Sequence, residues 1–127
     1  MTQLTTCVLF TDADGVARFR DEPVALDQGT PQARLSAAQA AQSLVWRESP
    51  VGFRSDFHCT TTPQWLFVLR GVMEIGLRDG SSRRFGPGEG FFSADTVPAG
   101  EEFDPTRHGH CSRQVGDEPL VTVFVRV

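Results

Sequence analysis

The residues best suited to chemistry in this sequence are three histidines, His58, His108 and His110, and a glutamine, Gln64. Imidazole nitrogens ligate transition metals such as zinc, iron, nickel or copper, and they also exchange protons near neutral pH. The amide of Gln64 offers a hydrogen-bond donor and an acceptor but no charge. These groups could therefore hold a metal or bind a small polar ligand, and the residues alone leave both alternatives open.

The elements that must position these residues are short strands. Turn-forming residues recur every eight to fifteen positions with period-two runs between them, which is typical of an all-β sandwich or barrel. The clearest hairpin joins residues 72–78 to residues 81–85 through an Asp-Gly turn. Residues 120–127 form a β-branched closing strand. Helix and strand compete over residues 33–41, and we favour strand because the alanine-rich run is short and has no clear cap.

Size and charge exclude several classes of protein. The chain has 127 residues, which corresponds to one domain, and a net charge of −4 at pH 7. No basic stripe for nucleic acid is present, and no apolar run approaches the ~20 residues of a membrane span. Lysine is absent, which excludes Schiff-base chemistry. We expect neither nucleic acid nor a membrane among the partners.

Three widely spaced cysteines, Cys7, Cys59 and Cys111, form no C-x-x-C pair and suggest no disulfide framework. Reduced thiols fit a cytoplasmic protein, and the N-terminus shows no signal-peptide pattern. Strand alternation turns Cys59 and Cys111 away from the histidines that they follow. We therefore expect packing groups rather than nucleophiles.

The spacing around the first histidine resembles the first motif of the cupins. Gly52 is followed after five residues by His58, then by Thr60, after three more residues by Gln64 and after six by Gly71. The family has a second histidine where this chain has Thr60 and a glutamate where it has Gln64. The spacing therefore matches throughout, while two of three metal-ligand positions differ.

The second cupin motif has a histidine followed after three residues by an asparagine. Here His110 is followed after three residues by Gln114. Residues 97–107 look like an insertion before it, and the resemblance covers about residues 42–127. It implies an all-β cupin-type double-stranded β-helix, a jelly-roll barrel in a single domain of the small RmlC-like type. Residues 1–41 would supply N-terminal strands and connecting segments that pack on the barrel or on a dimer partner.

Carried over to this chain, cupin geometry turns the His58 face towards the barrel interior. The implied ligand pocket is lined by His58, Thr60, Gln64 and His110, with Gln114 as a further ligand-binding position. If the strand around His110 is regular, His108 shares its face and also points inward. The first function that we predict is binding of an unassigned small molecule without an obligatory metal, as a binding or sensing module or through histidine acid/base chemistry.

The alternative is a mononuclear metal-dependent cupin enzyme of the dioxygenase or isomerase type. Its metal, one divalent zinc, iron, nickel or copper ion, would be bound by His58, His108 and His110, with Gln64 as a further neutral ligand. Such a site keeps open positions for water or substrate. No residue is assigned a catalytic role, and whether the protein is an enzyme stays open.

Residues outside the motifs add two further expectations. The polar loop over residues 96–107 carries Glu101, Glu102 and Asp104, which are solvated surface groups or, if the loop covers the pocket, a metal ligand or base. The strands over residues 4–47 carry more apolar pattern than one barrel needs, so we expect a homodimer.

Overall fold

The structure, a computed structural model, describes residues 3–127 of the chain. These residues contain eleven β-strands and no helix. The strands, in chain order, are β1 (Thr5–Thr11), β2 (Ala17–Pro23), β3 (Gln28–Thr30), β4 (Ala33–Leu35), β5 (Ser43–Ser49), β6 (Gln64–Arg70), β7 (Val72–Gly76), β8 (Ser82–Phe85), β9 (Gly90–Ala94), β10 (Cys111–Val115) and β11 (Leu120–Arg126). None of these described residues forms a helix that could cross a membrane.

The strands form two main sheets that face each other. The larger sheet has the order β2-β1-β9-β6-β11-β5, and the smaller has the order β10-β7-β8. Residues 53–58 lie along the free side of β10, where single bridges join Arg54 to Arg113 and His58 to His110. The small hairpin β3–β4 stands apart.

From β5 onward, successive segments alternate between the sheets. β5, β6, β9 and β11 belong to the larger sheet, whereas residues 53–58, the β7–β8 hairpin and β10 belong to the smaller. Closure of two sheets by this exchange is the jelly-roll arrangement. The predicted all-β jelly-roll barrel is therefore confirmed.

The core lies between the two sheets because one face of each strand is apolar. The larger sheet contributes Leu66 and Val68 of β6 and Phe91 of β9, and the smaller contributes Met73 and Ile75 of β7. The closing strand turns Leu120 inward, whereas the row of valines that begins with Val121 lies on the other face. This core gives the barrel a rigid wall on which polar groups can be placed.

The N-terminal strands are continuous with this architecture. β1 pairs in parallel with β9, and Leu9 of β1 and Ala17 of β2 belong to the same core cluster. The division between residues 41 and 42 stays a prediction, and residues 1–2 lie outside the described part of the chain. Over residues 33–41 only Ala33–Leu35 is strand, and residues 36–42 have neither helix nor strand.

Candidate functional site

A cavity of about 160 Å³ opens inside the barrel between the two sheets. Its apolar wall comes from core strands, with Leu66, Ile75 and Phe91 among its members. Its polar wall includes Arg47, His58, Thr60, Gln64, Ser93 and His110. Four of these six belong to the predicted pocket.

A second cleft of about 450 Å³ adjoins the cavity. Phe57, Thr96, Val97 and Phe103 line it, and residues 58–61 line both spaces. The loop over residues 96–107 therefore forms a wall of the entrance, although its carboxylates do not. Such an arrangement gives a small inner chamber and a wider outer one, with His58 between them.

The backbone brings His58 and His110 together. Each residue donates its N–H to the other's carbonyl, at N···O distances of 2.8 and 2.9 Å. Directly opposed residues in an antiparallel pair project their side chains to the same face. The two ring centroids accordingly lie 4.7 Å apart.

Both imidazoles have their protons fixed away from each other. His58 Nδ1 lies 2.9 Å from the carbonyl oxygen of Asp56, and His110 Nδ1 lies 2.7 Å from Oδ2 of Asp95. A carbonyl and a carboxylate only accept, so Nδ1 of each ring is the donor. In the neutral rings Nε2 is then an unprotonated acceptor, and within residues 3–127 no side chain or backbone group hydrogen-bonds it.

The pKa of His58 favours this neutral form. The ring is exposed at the surface, but neighbouring atoms remove water from its cavity side, and this desolvation lowers its pKa below the ordinary value. The hydrogen bond to Asp56 opposes the shift, while the nearby His110 and Arg47 add to it. His58 is therefore an uncharged acceptor at neutral pH.

Asp95 fixes the second imidazole and was not predicted. Its carboxylate is fully buried and accepts from His110 on one oxygen and from the Thr11 hydroxyl, at 2.7 Å, on the other. The alternation of Phe91 and Ser93, both buried, continues to Asp95 and could have indicated its inward direction. No strand or motif predicted from the sequence included Asp95, so this signal was missed.

The other two residues of the predicted pocket, Thr60 and Gln64, differ in whether their polar atoms have hydrogen-bond partners. Thr60 is buried, and its hydroxyl is hydrogen-bonded to that of Ser93 at 2.5 Å. Gln64 lines the same cavity, but its Oε1 is buried without a hydrogen-bond partner among residues 3–127. A buried amide oxygen without a partner costs about 1–3 kcal/mol, which marks it as a place for a ligand donor.

His108 does not join the other two histidines. Gly109 adopts a left-handed φ of 88°, which breaks the strand alternation on which the inward orientation of His108 depended. His108 Nδ1 accepts from the backbone N–H of Asp104 at 2.9 Å, and Nε2 lies 3.4 Å from Oε1 of Glu101. The ring packs beside Gly15 and closes the base of the loop instead of lining the cavity.

Gln114 also lies away from the cavity. Its Oε1 accepts from Gly52 N–H, and its Nε2 donates to the carbonyls of Gly116 and Glu118, all at 2.8 Å. Every polar atom of the amide is thus used to join two turns. A ligand role for Gln114 stays a prediction, and it would require the amide to exchange one of these hydrogen bonds for the ligand.

The loop carboxylates are occupied with their own loop. Glu101 pairs with Arg107, and Asp104 accepts from the backbone N–H and the hydroxyl of Thr106. Neither lines the cavity or the outer cleft. Among the described residues, no cluster of three or more His, Cys, Asp or Glu side chains is close enough to hold a metal ion.

Cys59, expected to face away from the histidines, contributes to the lining of both spaces. Burial, reinforced by the Asp95 carboxylate, raises the pKa of its thiol to about 11. The side chain is therefore a neutral thiol at physiological pH. This supports the expectation of a packing group rather than a nucleophile.

The comparisons with known proteins include a weak structural likeness to a cupin domain. No protein-family model matches the chain, and no curated protein matches it. A solved structure of the cupin domain of Cnp3 from Schizosaccharomyces pombe is similar at a TM-score of 0.46 and 15% sequence identity. The similarity covers 98% of this chain and 84% of that one.

Proposed function

We propose that this chain is a small-molecule-binding cupin whose ligand lies inside the barrel, in contact with His58, Thr60, Gln64 and His110. The observation that carries the proposal is the partnerless Oε1 of Gln64 in the cavity wall. Folded proteins rarely leave such an atom unpaired unless another molecule or ordered water completes it. Cupin membership is part of this proposal and is supported by the motif spacing and the jelly-roll strand order.

The chemistry of the wall defines what the ligand must offer. Gln64 Oε1 and Nε2 of the neutral His58 are acceptors, as is Nε2 of His110 in the neutral form of that ring, so the inner end of the ligand must donate hydrogen bonds. The apolar wall favours a carbon skeleton beside that donor. A hydroxyl or an amide N–H on a short carbon chain meets both requirements.

The test combines binding with stability. Protein labelled with ¹⁵N-histidine is titrated with short-chain alcohols, amides and carboxylic acids at millimolar concentration, and the Nε2 resonances of His58 and His110 are followed. We expect at least one of these compounds to move both resonances and to raise the melting temperature. The substitution Gln64→Leu should abolish that response without lowering the stability of the free protein, since it removes an unpaired acceptor.

Gln114→Leu is the matched control, because it makes the same change at a glutamine whose polar atoms are all paired. It should lower the free energy of unfolding by about 1–3 kcal/mol, since partners such as Gly52 N–H lose their hydrogen bonds. The proposal fails if no compound moves the two Nε2 resonances. It also fails if Gln64→Leu is as destabilising as Gln114→Leu.

A metal-dependent enzyme of the dioxygenase or isomerase type is the second candidate. One observation favours it: histidine ligands of metals usually donate their other ring N–H to a carbonyl or carboxylate, as His58 and His110 do. Together with Gln64 Oε1, the two histidines offer three neutral metal-ligating atoms and no anionic one. Such a ligand set fits zinc, iron, nickel or copper only partly. Such a metal would supply Lewis-acid or redox chemistry beside the cavity.

Metal analysis separates the two candidates. Protein purified without chelator and supplemented with each metal is analysed for bound zinc, iron, nickel and copper. A stoichiometric metal that disappears in the double variant His58→Ala, His110→Ala favours the enzyme. Metal that stays in the double variant, or no metal after supplementation, eliminates this second candidate and leaves the binding protein.

The homodimer is a further part of the proposal. Strand β5 is the edge of the larger sheet, and Leu44 and Trp46 on it are 56% and 69% exposed. Trp46 stands opposite Val123, which stands opposite the exposed Phe67, so one apolar row crosses three strands. Pairing with the same edge of a second copy would satisfy the open backbone groups and cover the row. Sedimentation as a monomer at micromolar concentration would eliminate this dimer.

A further inference from the structure

Arg47 places a positive charge at the cavity that the sequence motifs do not indicate. It lies on β5 opposite Thr122, whose side chain is buried in the barrel, so Arg47 shares the inward face, although the residue as a whole is exposed, as Arg54 is. Its guanidinium lies over the rings of Phe53 and Phe124, 4.8 and 5.9 Å from their centroids. Stacking on aromatic faces limits the directions in which the planar group can present its donors.

Within residues 3–127, no carboxylate forms an ion pair with Arg47. Several other arginines are paired with carboxylates, for example Arg113 with Glu74 and Arg107 with Glu101. The carboxylate of Asp95, beside His110, is fully buried, with both oxygens used by His110 and Thr11. The cavity wall therefore carries one formal positive charge and no accessible negative one.

The field of Arg47 reaches the histidines. Its charge is one of the causes that lower the pKa of His58, after desolvation and the proximity of His110. A negative group bound at Arg47 would cancel this contribution and raise the pKa of His58 by that amount. Desolvation, the largest cause, and the proximity of His110 would still lower the pKa, so an anion at Arg47 leaves the main reasons for a neutral His58 in place.

On this basis we infer that the cavity binds a small organic carboxylate that carries a hydroxyl, with the carboxylate at Arg47 and the hydroxyl at Gln64 and His110. The planar fork of an arginine matches a carboxylate in two parallel hydrogen bonds. The inner acceptors require a donor at the other end of the ligand. The inference rests on the proposed function and adds the chemical class of the ligand.

The size of the cavity limits the length of that ligand. A volume of 160 Å³ corresponds to the share of about five water molecules in the liquid. Acids of a few carbons fit, and longer chains would have to extend into the outer cleft beside Phe103. Glycolate, lactate and β-hydroxybutyrate cover this range, and their primary amides have nearly the same shape without the charge.

The test compares each acid with its amide in wild-type protein and in two variants. Calorimetric titration with glycolate, lactate and β-hydroxybutyrate and with the three amides gives the charge preference. Arg47→Gln removes the cavity charge. Arg54→Gln removes the same charge from an exposed arginine that does not line the cavity, and so controls for the general field of the protein.

We expect at least one acid to bind about tenfold or more tighter than its amide in wild type and in Arg54→Gln, and this preference to disappear in Arg47→Gln. Melting temperatures of all three proteins verify that the variants are folded. Equal binding of acids and amides, or acid binding that survives Arg47→Gln, overturns the inference but leaves a cavity that binds small molecules. Absence of acid binding also overturns it, and the histidine resonances in the presence of neutral alcohols and amides then decide whether the proposed function fails as well.

Discussion

His108 and His110 are two residues apart and equally buried, 1% and 4% exposed, yet they belong to different parts of the molecule. Both ring nitrogens of His108 face groups of the loop over residues 96–107. His110 uses only Nδ1, towards Asp95, and presents Nε2 to the cavity. The difference shows that burial does not distinguish a structural histidine from one that can act on a ligand. The distinction lies in the second ring nitrogen, which has a partner within the protein in His108 and is left for a ligand in His110.

Gly109 produces this difference. Its left-handed φ turns the chain between the two histidines, and its missing side chain lets the backbone of His58 approach. One glycine thus sends His108 to the loop and His110 to the barrel. Substitutions on both sides of this boundary should separate the two roles.

The largest effect is expected at Asp95. Replacing it with alanine leaves the buried Nδ1–H of His110 unpaired and removes one hydrogen bond of the Thr11 hydroxyl, which keeps its contacts with the backbone of Thr96, so the free energy of unfolding should fall by about 2–5 kcal/mol. The ¹⁵N spectrum of His110 should then show both tautomers. Thr11→Val is the control, since it removes the other hydrogen bond of Asp95 and should preserve the tautomer. A His110 tautomer unchanged in Asp95→Ala would contradict the positioning role.

The next effect is expected at the boundary itself. In Gly109→Ala the new Cβ would lie 2.6 Å from the carbonyl oxygen of His58, which is closer than a van der Waals contact. The cost of this clash adds to the cost of about 1–2 kcal/mol for a left-handed backbone at a residue with a side chain. Gly116→Ala has the same backbone conformation, with φ of 90°, but no atom within 4 Å of the new Cβ. Chemical denaturation should therefore show a larger loss for Gly109→Ala. Equal losses would mean that the approach of His58 is unimportant.

A smaller and purely structural effect is expected for His108→Ala. The backbone N–H of Asp104 loses its acceptor, and stability should fall by about 2 kcal/mol, with faster proteolysis of the loop over residues 96–107. The Nε2 resonances of His58 and His110 should stay in place, because His108 does not line their cavity. Movement of those resonances by an amount similar to that in Asp95→Ala would remove the distinction between the two histidines.

The smallest effect is expected for a charge on the outside of β7, where Glu74 pairs with Arg84 and Arg113. Hydrogen bonds from Arg113 and then Arg84 lower the pKa of Glu74 below its ordinary value of 4.5. The ion pairs of Glu74 therefore stabilise the fold when the pH is above 4.5, and this contribution is lost as the pH falls through the lowered pKa. Glu74→Gln should cost less than about 1 kcal/mol at neutral pH. Unfolding curves of wild type and variant should converge in acid, and a gap that widens there would reverse the sign.

Regular strands were the easiest part to predict. The hairpin predicted for residues 72–78 and 81–85 is present as β7 and β8, and the closing strand predicted for residues 120–127 is present as β11, Leu120–Arg126. Side chains alternate reliably in such strands, so their inward residues can be counted from the sequence. The count failed at His108, where a glycine with positive φ lies between two strand-like residues and resets it.

What the sequence alone determined is the alternation of short strands, the core that it creates and the entry of His58, Thr60, Gln64 and His110 into one barrel wall. Only the tertiary structure decided which of these groups have partners: Asp95 for His110, Ser93 for Thr60, and none among the described residues for Gln64 Oε1. The physical reason is that the two features depend on interactions over different separations in the sequence. The alternation of a strand is set by its own backbone, whereas a hydrogen bond between residues far apart in the sequence depends on how the two sheets close.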